Sequence, residues 1–239
     1  MKDTAVKAMF ETIAGTYDFQ NSFLSLGQDI YWRRALARSI RANERSVVLD
    51  VAVGTAEVAL TINRYHPGAM VVGVDFSPAM LAVGRKKIVS RGLADRIRLT
   101  AGDGRRLPVR DASVDAVTIS FGIRNIEERH LVLSEFYRVL KPGGQLFVME
   151  FSYPDGLLIK GLYRFYFDRI LPPVGNWLSR TDYAYSYLAD SVDRFPSDAE
   201  FLNEFSLAGF ERTRVTKLTF GIAKIFHGIK GANESNSPG

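Results

Sequence analysis

Val47-Val48-Leu49-Asp50-Val51-Ala52-Val53-Gly54-Thr55-Ala56-Glu57 is the stretch on which the reading of this chain turns. Valine and leucine fill four of the five positions from Val47 to Val51. The run is too short for a helix and rich in β-branched side chains, so it reads as a parallel strand buried on both faces. Ala52, Gly54 and Ala56 then place small residues at every second position, where a backbone must turn sharply and let a ligand approach. Gly54 adds no Cβ and takes φ > 0 freely, and the helix that follows points its free N–H groups at whatever binds. A second apolar run, Val71-Val72-Gly73-Val74, ends in Asp75, 25 residues after Asp50. A carboxylate there suits the two hydroxyls of a ribose. The two strand ends together read as a nucleoside-cofactor site.

Charge decides which nucleoside. A dinucleotide fingerprint requires G-x-G-x-x-G, but here Ala52 stands in the first slot and Glu57 in the last. A pyrophosphate at that helix start would meet the Glu57 carboxylate. S-adenosyl-L-methionine has no phosphate and carries a cationic sulfonium and an amino group, which acidic neighbours at Asp50 and Glu57 favour. Asp-x-Ala-x-Gly-x-Ala resembles the D/E-x-G-x-G-x-G turn of class I methyltransferases, with Ala in two glycine slots.

The chain has 239 residues and is 46% hydrophobic, enough for the full core of one α/β domain with additions. Helical and strand patterns alternate from residue 44 to 150, which predicts a parallel sheet covered on both faces. The absence of Cys excludes disulfides and thiolate chemistry and fits a reducing cytoplasm. No apolar run reaches 18 residues and the start has no signal-peptide core, so the expectation is a cytoplasmic chain. A net charge of +5 allows peripheral contact with an anionic membrane. There is no clustered Arg/Lys tract, so nucleic acid is not expected as a partner. His66, His130 and His227 fall in no base or metal arrangement, and no metal site is expected.

In chain order, residues 5–14 and 17–26 read as short helices, and 29–41 as a third with Trp32, Leu36 and Ile40 on one face. They form an amphipathic cap over the cofactor mouth, with Tyr17 either packed in the core or closing the lid. Helices are predicted at 56–65, at 78–89 with Ser77 as N-cap and Pro78 at N1, and at 127–140. Strands follow at 97–100, 114–120 and 145–150. Gly102-Asp103-Gly104 sits at a strand's carboxyl end, where such sheets bind ligands. There Asp103 could accept from an adenine amino group while Gly104 lets the ring lie against backbone. Phe121-Gly122-Ile123-Arg124-Asn125 runs directly out of strand four, placing Arg124 and Asn125 over the crevice. From 157 to 171, ten of 15 positions are apolar or aromatic, Tyr163 and Tyr166 among them. That composition is too polar to span a bilayer and suits a greasy lid, an interfacial helix or a dimer surface. Residues 201–208 read as a helix, and 212–220 with 222–229 as a closing strand pair.

Several phrases resemble the ubiquinone/menaquinone biosynthesis C-methyltransferase family. They are Met9-Phe10-Glu11-Thr12-Ile13-Ala14-Gly15-Thr16-Tyr17-Asp18, Leu24-Ser25-Leu26-Gly27 with Trp32-Arg33, Gly73-Val74-Asp75-Phe76-Ser77 and Ser120-Phe121-Gly122-Ile123-Arg124-Asn125. The resemblance resumes at Tyr187-Leu188 and Arg194-Phe195-Pro196 and covers almost the whole chain. It implies a class I, Rossmann-like seven-stranded sheet whose last strand is antiparallel. It also implies methyl transfer from S-adenosyl-L-methionine to a ring carbon of a polyprenylated quinol. Cofactor roles carry over to Thr55, Asp75, Asp103, Gly104 and Ser120; Val53 and Ala56 depart from the family's turn. On this reading residues 1–231 form one methyltransferase domain, with a cap at 1–42, a helical lid at 153–193 and a tail at 232–239.

The chemistry then names candidates. A quinol carbon becomes nucleophilic when a ring hydroxyl loses its proton, so the site must help remove that proton and stabilise the phenolate. Arg124 is the expected stabilising cation. Deprotonation through Arg124-bound water, Tyr17 or Asp18 stays open. Asp50 and Gly54 join the cofactor set, and Asn125, Tyr163 and Tyr166 the substrate set. Another lipophilic acceptor of sterol or tocopherol type, a non-catalytic cofactor-binding subunit and a homodimer also stay open.

Overall fold

β1 (Val47–Val51) lies at the centre of the molecule: four of its five side chains are buried, Asp50 among them, as a run apolar at the other four positions requires. It pairs in parallel with β2 (Met70–Asp75) on one side and β4 (Val114–Ser120) on the other. Outside these stand β3 (Ile97–Ala101), parallel to β2, and β5 (Leu140–Phe151), parallel to β4. β6 (Phe210–Leu218) and β7 (Ala223–Lys230) complete a seven-stranded sheet of order β3-β2-β1-β4-β5-β7-β6. β7 runs antiparallel to both of its neighbours, and the other strands share one direction. Strand order reverses between β1 and β4, so the carboxyl ends of those two strands flank a crevice. The computed structural model describes residues 2–154, 156, 161, 169 and 184–232.

Helices cover both faces. On one, α3 (Gln28–Ser39), α4 (Glu57–Tyr65) and α5 (Pro78–Ser90) bury Trp32, Leu36, Ile62 and Leu81 against the sheet. On the other, α6 (Arg129–Val139) and α8 (Asp198–Leu207) bury Phe136, Phe201 and Phe205. The termini of these helices are set locally. Ser77 caps α5, with its hydroxyl accepting from the Met80 N–H and Pro78 in the first turn. Ser197 and Glu200 form a reciprocal capping box on α8. α1 (Lys2–Ile13) and α2 (Tyr17–Leu24) lie across the carboxyl ends of the strands, and α7 (Ala184–Asp193) precedes α8.

Some expectations shift. α6 starts at Arg129, not 127, because a 3-10 turn at Ile123–Asn125 and the extended Ile126 use up the preceding residues. β5 begins at Leu140, immediately after α6, rather than at 145. Val114 pairs with Leu140 and Ala116 with Gln145, so Lys141-Pro142-Gly143-Gly144 bulges out of the ladder. β6 begins at Phe210, and its register shifts around Arg212, which has φ +49°. Tyr163, Tyr166 and most of the expected lid and tail lie outside the described residues. No described helix is long and apolar enough to cross a membrane.

α5 packs closely on the first turn through Gly84. A Cβ there would stand 2.9 Å from Leu99 Cδ1 and 3.2 Å from Ala56 Cβ. Crowding of about 1–3 kcal/mol is offset by about 1 kcal/mol gained in helix propensity, so Gly84→Ala is expected to cost up to about 2 kcal/mol of stability. Urea unfolding should show a lower midpoint at unchanged slope.

Candidate functional site

The turn after β1 is built from alternating left-handed residues: Ala52 has φ +53°, Gly54 +54° and Ala56 +68°. For an alanine this conformation costs roughly 1–2 kcal/mol, so something must hold it. Asp75, at the end of the neighbouring strand, does. The Gly54 N–H donates to its Oδ2 at 2.7 Å and the Ser77 N–H to its Oδ1 at 2.8 Å. One carboxylate thus ties the loops after β1 and β2 together. The loop after β4 closes on them in turn, since a Cβ on Gly122 would lie 2.8 Å from that of Ala52. Phe121 beside it is also left-handed, at φ +56°. Burial raises the Asp75 carboxyl above the ordinary range, and the surrounding amide donors oppose that rise.

These loops enclose a cleft at the carboxyl edge of the sheet. Val51, Val74 and Phe121 give it apolar walls, and Phe10 of α1 and Tyr17 of α2 close it from above. Gly54, Asp75, Asp103, Gly104, Ser120 and Asn125, all expected from the sequence, stand in its wall. The Asp103 carboxylate is gripped by the Arg105 guanidinium at 2.7 Å, which holds its pKa below the usual range. Ser120 Oγ and Asn125 Oδ1 are buried with no hydrogen-bond partner. Orphaned polar atoms in a cleft wall point to a ligand that supplies their partners. Burial raises the Tyr17 phenol above 10, with smaller opposing effects from Asn21 and Arg124.

Five expected residues lie elsewhere. Asp50 is sealed beneath the turn, where its Oδ1 accepts from the Thr118 hydroxyl at 2.7 Å and its Oδ2 has no partner. Thr55 donates to Asp18, and Asp18 pairs with Lys87 of α5, so both serve to dock α2 on the domain and neither lines the cleft. Glu57 also turns away, accepting from Lys87 at 2.8 Å, so it would not confront a ligand at the turn as its sequence position suggested. Arg124 stands behind the wall, paired with Glu150 at 3.0 Å and donating to Ser191 Oγ at 3.2 Å and to the Phe121 carbonyl. Its charge is already balanced there. Glu150 was not singled out in the sequence, although it closes the apolar run of β5 much as Asp75 closes that of β2. Phe10 was likewise overlooked as a wall residue.

Residues 1–230 match the model of the ubiE/COQ5 methyltransferase family. The chain is 46% identical over 231 residues to a ubiquinone/menaquinone biosynthesis C-methyltransferase of Geobacter sulfurreducens, covering 96% of this chain and 90% of that one. It is 43% identical over 220 residues to a demethylmenaquinone methyltransferase of Thermus thermophilus, covering 92% and 99%. Among solved structures, a putative methyltransferase complexed with the Trm112 activator of Haloferax volcanii superposes with TM-score 0.66. It is 19% identical, and the match covers 93% of this chain and 97% of that one. A SAM-dependent methyltransferase of Thermotoga maritima gives 0.65 at 19% identity over 94% and 99%. At such identity these structures show the fold.

Burial pushes the Asp50 carboxyl from 3.8 up to about 7, with the Thr118 hydrogen bond only partly opposing it. A raised folded-state value favours the native state fully below pH 3.8, and that contribution is lost as pH rises through 7. Asp50→Asn keeps an acceptor for Thr118 and cannot ionise. Denaturant titrations should show the stability of the wild type, relative to this variant, falling between about pH 4 and 8 and levelling off above. A pH-independent difference would show that Asp50 keeps its ordinary pKa.

Proposed function

The chain belongs to the ubiE/COQ5 methyltransferase family and is an S-adenosyl-L-methionine-dependent C-methyltransferase, and we propose that it methylates a ring carbon of a polyprenylated quinol, the demethylated precursor of menaquinone or ubiquinone. The observation that carries this reading is a largely apolar cleft with Asp75 at one end and the unpartnered Ser120 and Asn125 in the same wall. Bound S-adenosyl-L-methionine supplies an electrophilic methyl group. Asp75 would hold the ribose hydroxyls on the lone pairs its two amide bonds leave free. Gly104 and Asp103 would hold the adenine, and Ser120 Oγ would offer it a hydrogen-bond partner.

The quinol ring lies between this cofactor site and the α2 wall. Attack requires the acceptor carbon in line with the methyl at about 3–3.5 Å, and apolar walls keep water out of that line. Asn125 Oδ1 accepts from one ring hydroxyl. Water at the cleft mouth takes the ring hydroxyl proton, and the hydrogen on the acceptor carbon leaves the same way once the methyl is bound and the ring regains aromaticity. Tyr17, a phenol whose pKa burial raises further, donates to the ring oxygen as negative charge develops there and so acts as a hydrogen-bond donor rather than as a base. Arg124 is a positioning residue: through Glu150 and the Phe121 carbonyl it fixes the strand exit that carries Asn125. A homodimer and peripheral attachment to a membrane are consistent with this reading.

Asp75→Asn places an amide donor against a backbone donor, so cofactor affinity by calorimetry is expected to fall at least tenfold. An unchanged dissociation constant removes Asp75 from the ribose role. Tyr17→Phe should hold that constant within about twofold while kcat falls tenfold or more; undiminished kcat ends the donor role. The reaction is tested with methyl-labelled S-adenosyl-L-methionine and reduced demethylmenaquinone or the reduced benzoquinone precursor in separate incubations. Label in either product, read by mass spectrometry, supports the proposal and names the ring. Label in neither, with cofactor binding confirmed, overturns it.

A further inference from the structure

The corner between α2 and α3 carries a cluster of apolar side chains held in water. Leu26 at its apex is 81% exposed, and Phe19 and Phe23 beside it are 62% and 51% exposed. The two phenylalanine rings stack at 5.9 Å. Ile30 and Tyr31, on the first turn of α3, extend the patch. A monomeric soluble surface rarely gathers such groups without a partner.

This exposure is built into the fold. Asp29 is itself buried, and it accepts from the hydroxyls of Ser22 at 2.9 Å and Ser25 at 3.1 Å and from the Arg33 guanidinium at 2.7 Å. The Gly27 N–H also bonds the Ser22 carbonyl at 2.7 Å. Four contacts therefore fix the corner, with Leu26 projecting from it at φ +52°. Asparagine or glycine would take that backbone more readily.

Ile30 joins the patch to a groove between α2, α3, α4 and α5. Arg34, Arg64 and Arg91 stand in this groove, exposed and without an ion-pair partner among the described residues. The acidic groups on the same groove, Asp18 and Glu57, are both engaged by Lys87. Asn63 Nδ2, on the groove wall, is buried with no acceptor. Unpaired guanidinium groups and an orphaned amide donor beside a projecting aromatic and aliphatic tip have the chemistry of an interfacial anchor: apolar groups for acyl chains, cations and donors for phosphate oxygens.

We propose that the α2–α3 corner docks on an anionic phospholipid bilayer, with Phe19, Phe23 and Leu26 inserted and Arg34, Arg64 and Arg91 at the headgroups. The proposal rests on the lipophilic methyl acceptor proposed above and names where the molecule meets it. Tyr17, in the cleft wall, begins the helix that carries Phe19 and Phe23. The same helix thus faces the cleft at one end and lipid at the other, so a prenylated acceptor leaves the bilayer beside the cleft.

The absence of cysteine allows a direct test. Leu26→Cys is labelled with an environment-sensitive fluorophore, and Leu207→Cys, on α8 and 80% exposed in the native protein, serves as control. With vesicles of phosphatidylglycerol and phosphatidylcholine, the probe at 26 should shift to the blue and the probe at 207 should not. Vesicle partitioning of unlabelled protein should fall about tenfold in Phe23→Ser/Leu26→Asn, and about fivefold for each of Arg34→Gln and Arg64→Gln. An unshifted probe at 26 overturns the proposal. So does a blue probe in buffer alone, which would mean that the corner is already covered without lipid, or a shift that grows with protein concentration, which would mean a second copy covers it. Methyl transfer by the wild type to a tail-less, water-soluble quinol reports on the acceptor class independently of every vesicle result.

Discussion

Everything at the carboxyl edge of the sheet depends on one buried carboxylate with two amide partners. Asp75 converts the ends of two adjacent strands into a single rigid rim by accepting from Gly54 and Ser77. Without it the left-handed alanines at 52 and 56 would have little to oppose their strain, and the close packing of Gly122 on Ala52 would lose its support. The same two oxygens retain lone pairs that face the cleft. Scaffold and proposed ligand contact are therefore one group, so the site is organised before any ligand arrives.

A second layer of ionic contacts holds the outer helices to this rim. Arg124 and Glu150, almost wholly enclosed, join the exit of β4 to the end of β5, and Ser191 brings α7 to the same guanidinium. Removing either charge would leave the other buried and unpaired, a large penalty. Trp32 gives the complementary apolar tie. Its ring packs on Phe121 and Phe151, and its indole N–H reaches the Thr219 hydroxyl at 2.8 Å, linking α3 to the closing strand pair.

Elements governed by near neighbours were legible in the sequence. The β1 strand, the glycine turn and the Ser77-Pro78 helix start each follow from a few adjacent side chains. The wall residues Gly54, Asp75, Asp103, Gly104, Ser120 and Asn125 follow as well, because each sits at a strand's carboxyl end or in the turn just beyond it. Placement that depends on distant partners was not legible there. Asp18 is turned from the cleft by Lys87, 69 positions away, and Arg124 is claimed by Glu150, 26 positions away. Asp50 and Asp75 both sit at the ends of apolar runs and cannot be told apart by pattern. Only the depth of the sheet shows that one is sealed under the turn while the other faces the cleft. Burial likewise raises the Tyr17 phenol further from neutrality, and burial is not written in a local motif.

The two residues that roof the cleft, Phe10 and Tyr17, belong to helices that precede the first strand, whereas its floor belongs to the sheet. What fastens those two bodies includes a partly buried bridge from Asp18 to Lys87, an edge contact between the Phe10 and Phe76 rings at 6.5 Å, and the packing of Ile13 and Ala14 on Met80 of α5. Dissolved ions weaken the first only a little, because it is partly buried, and leave the apolar contacts nearly unchanged. Salt therefore has little purchase on how the roof is seated, and what loosens greasy surfaces has more.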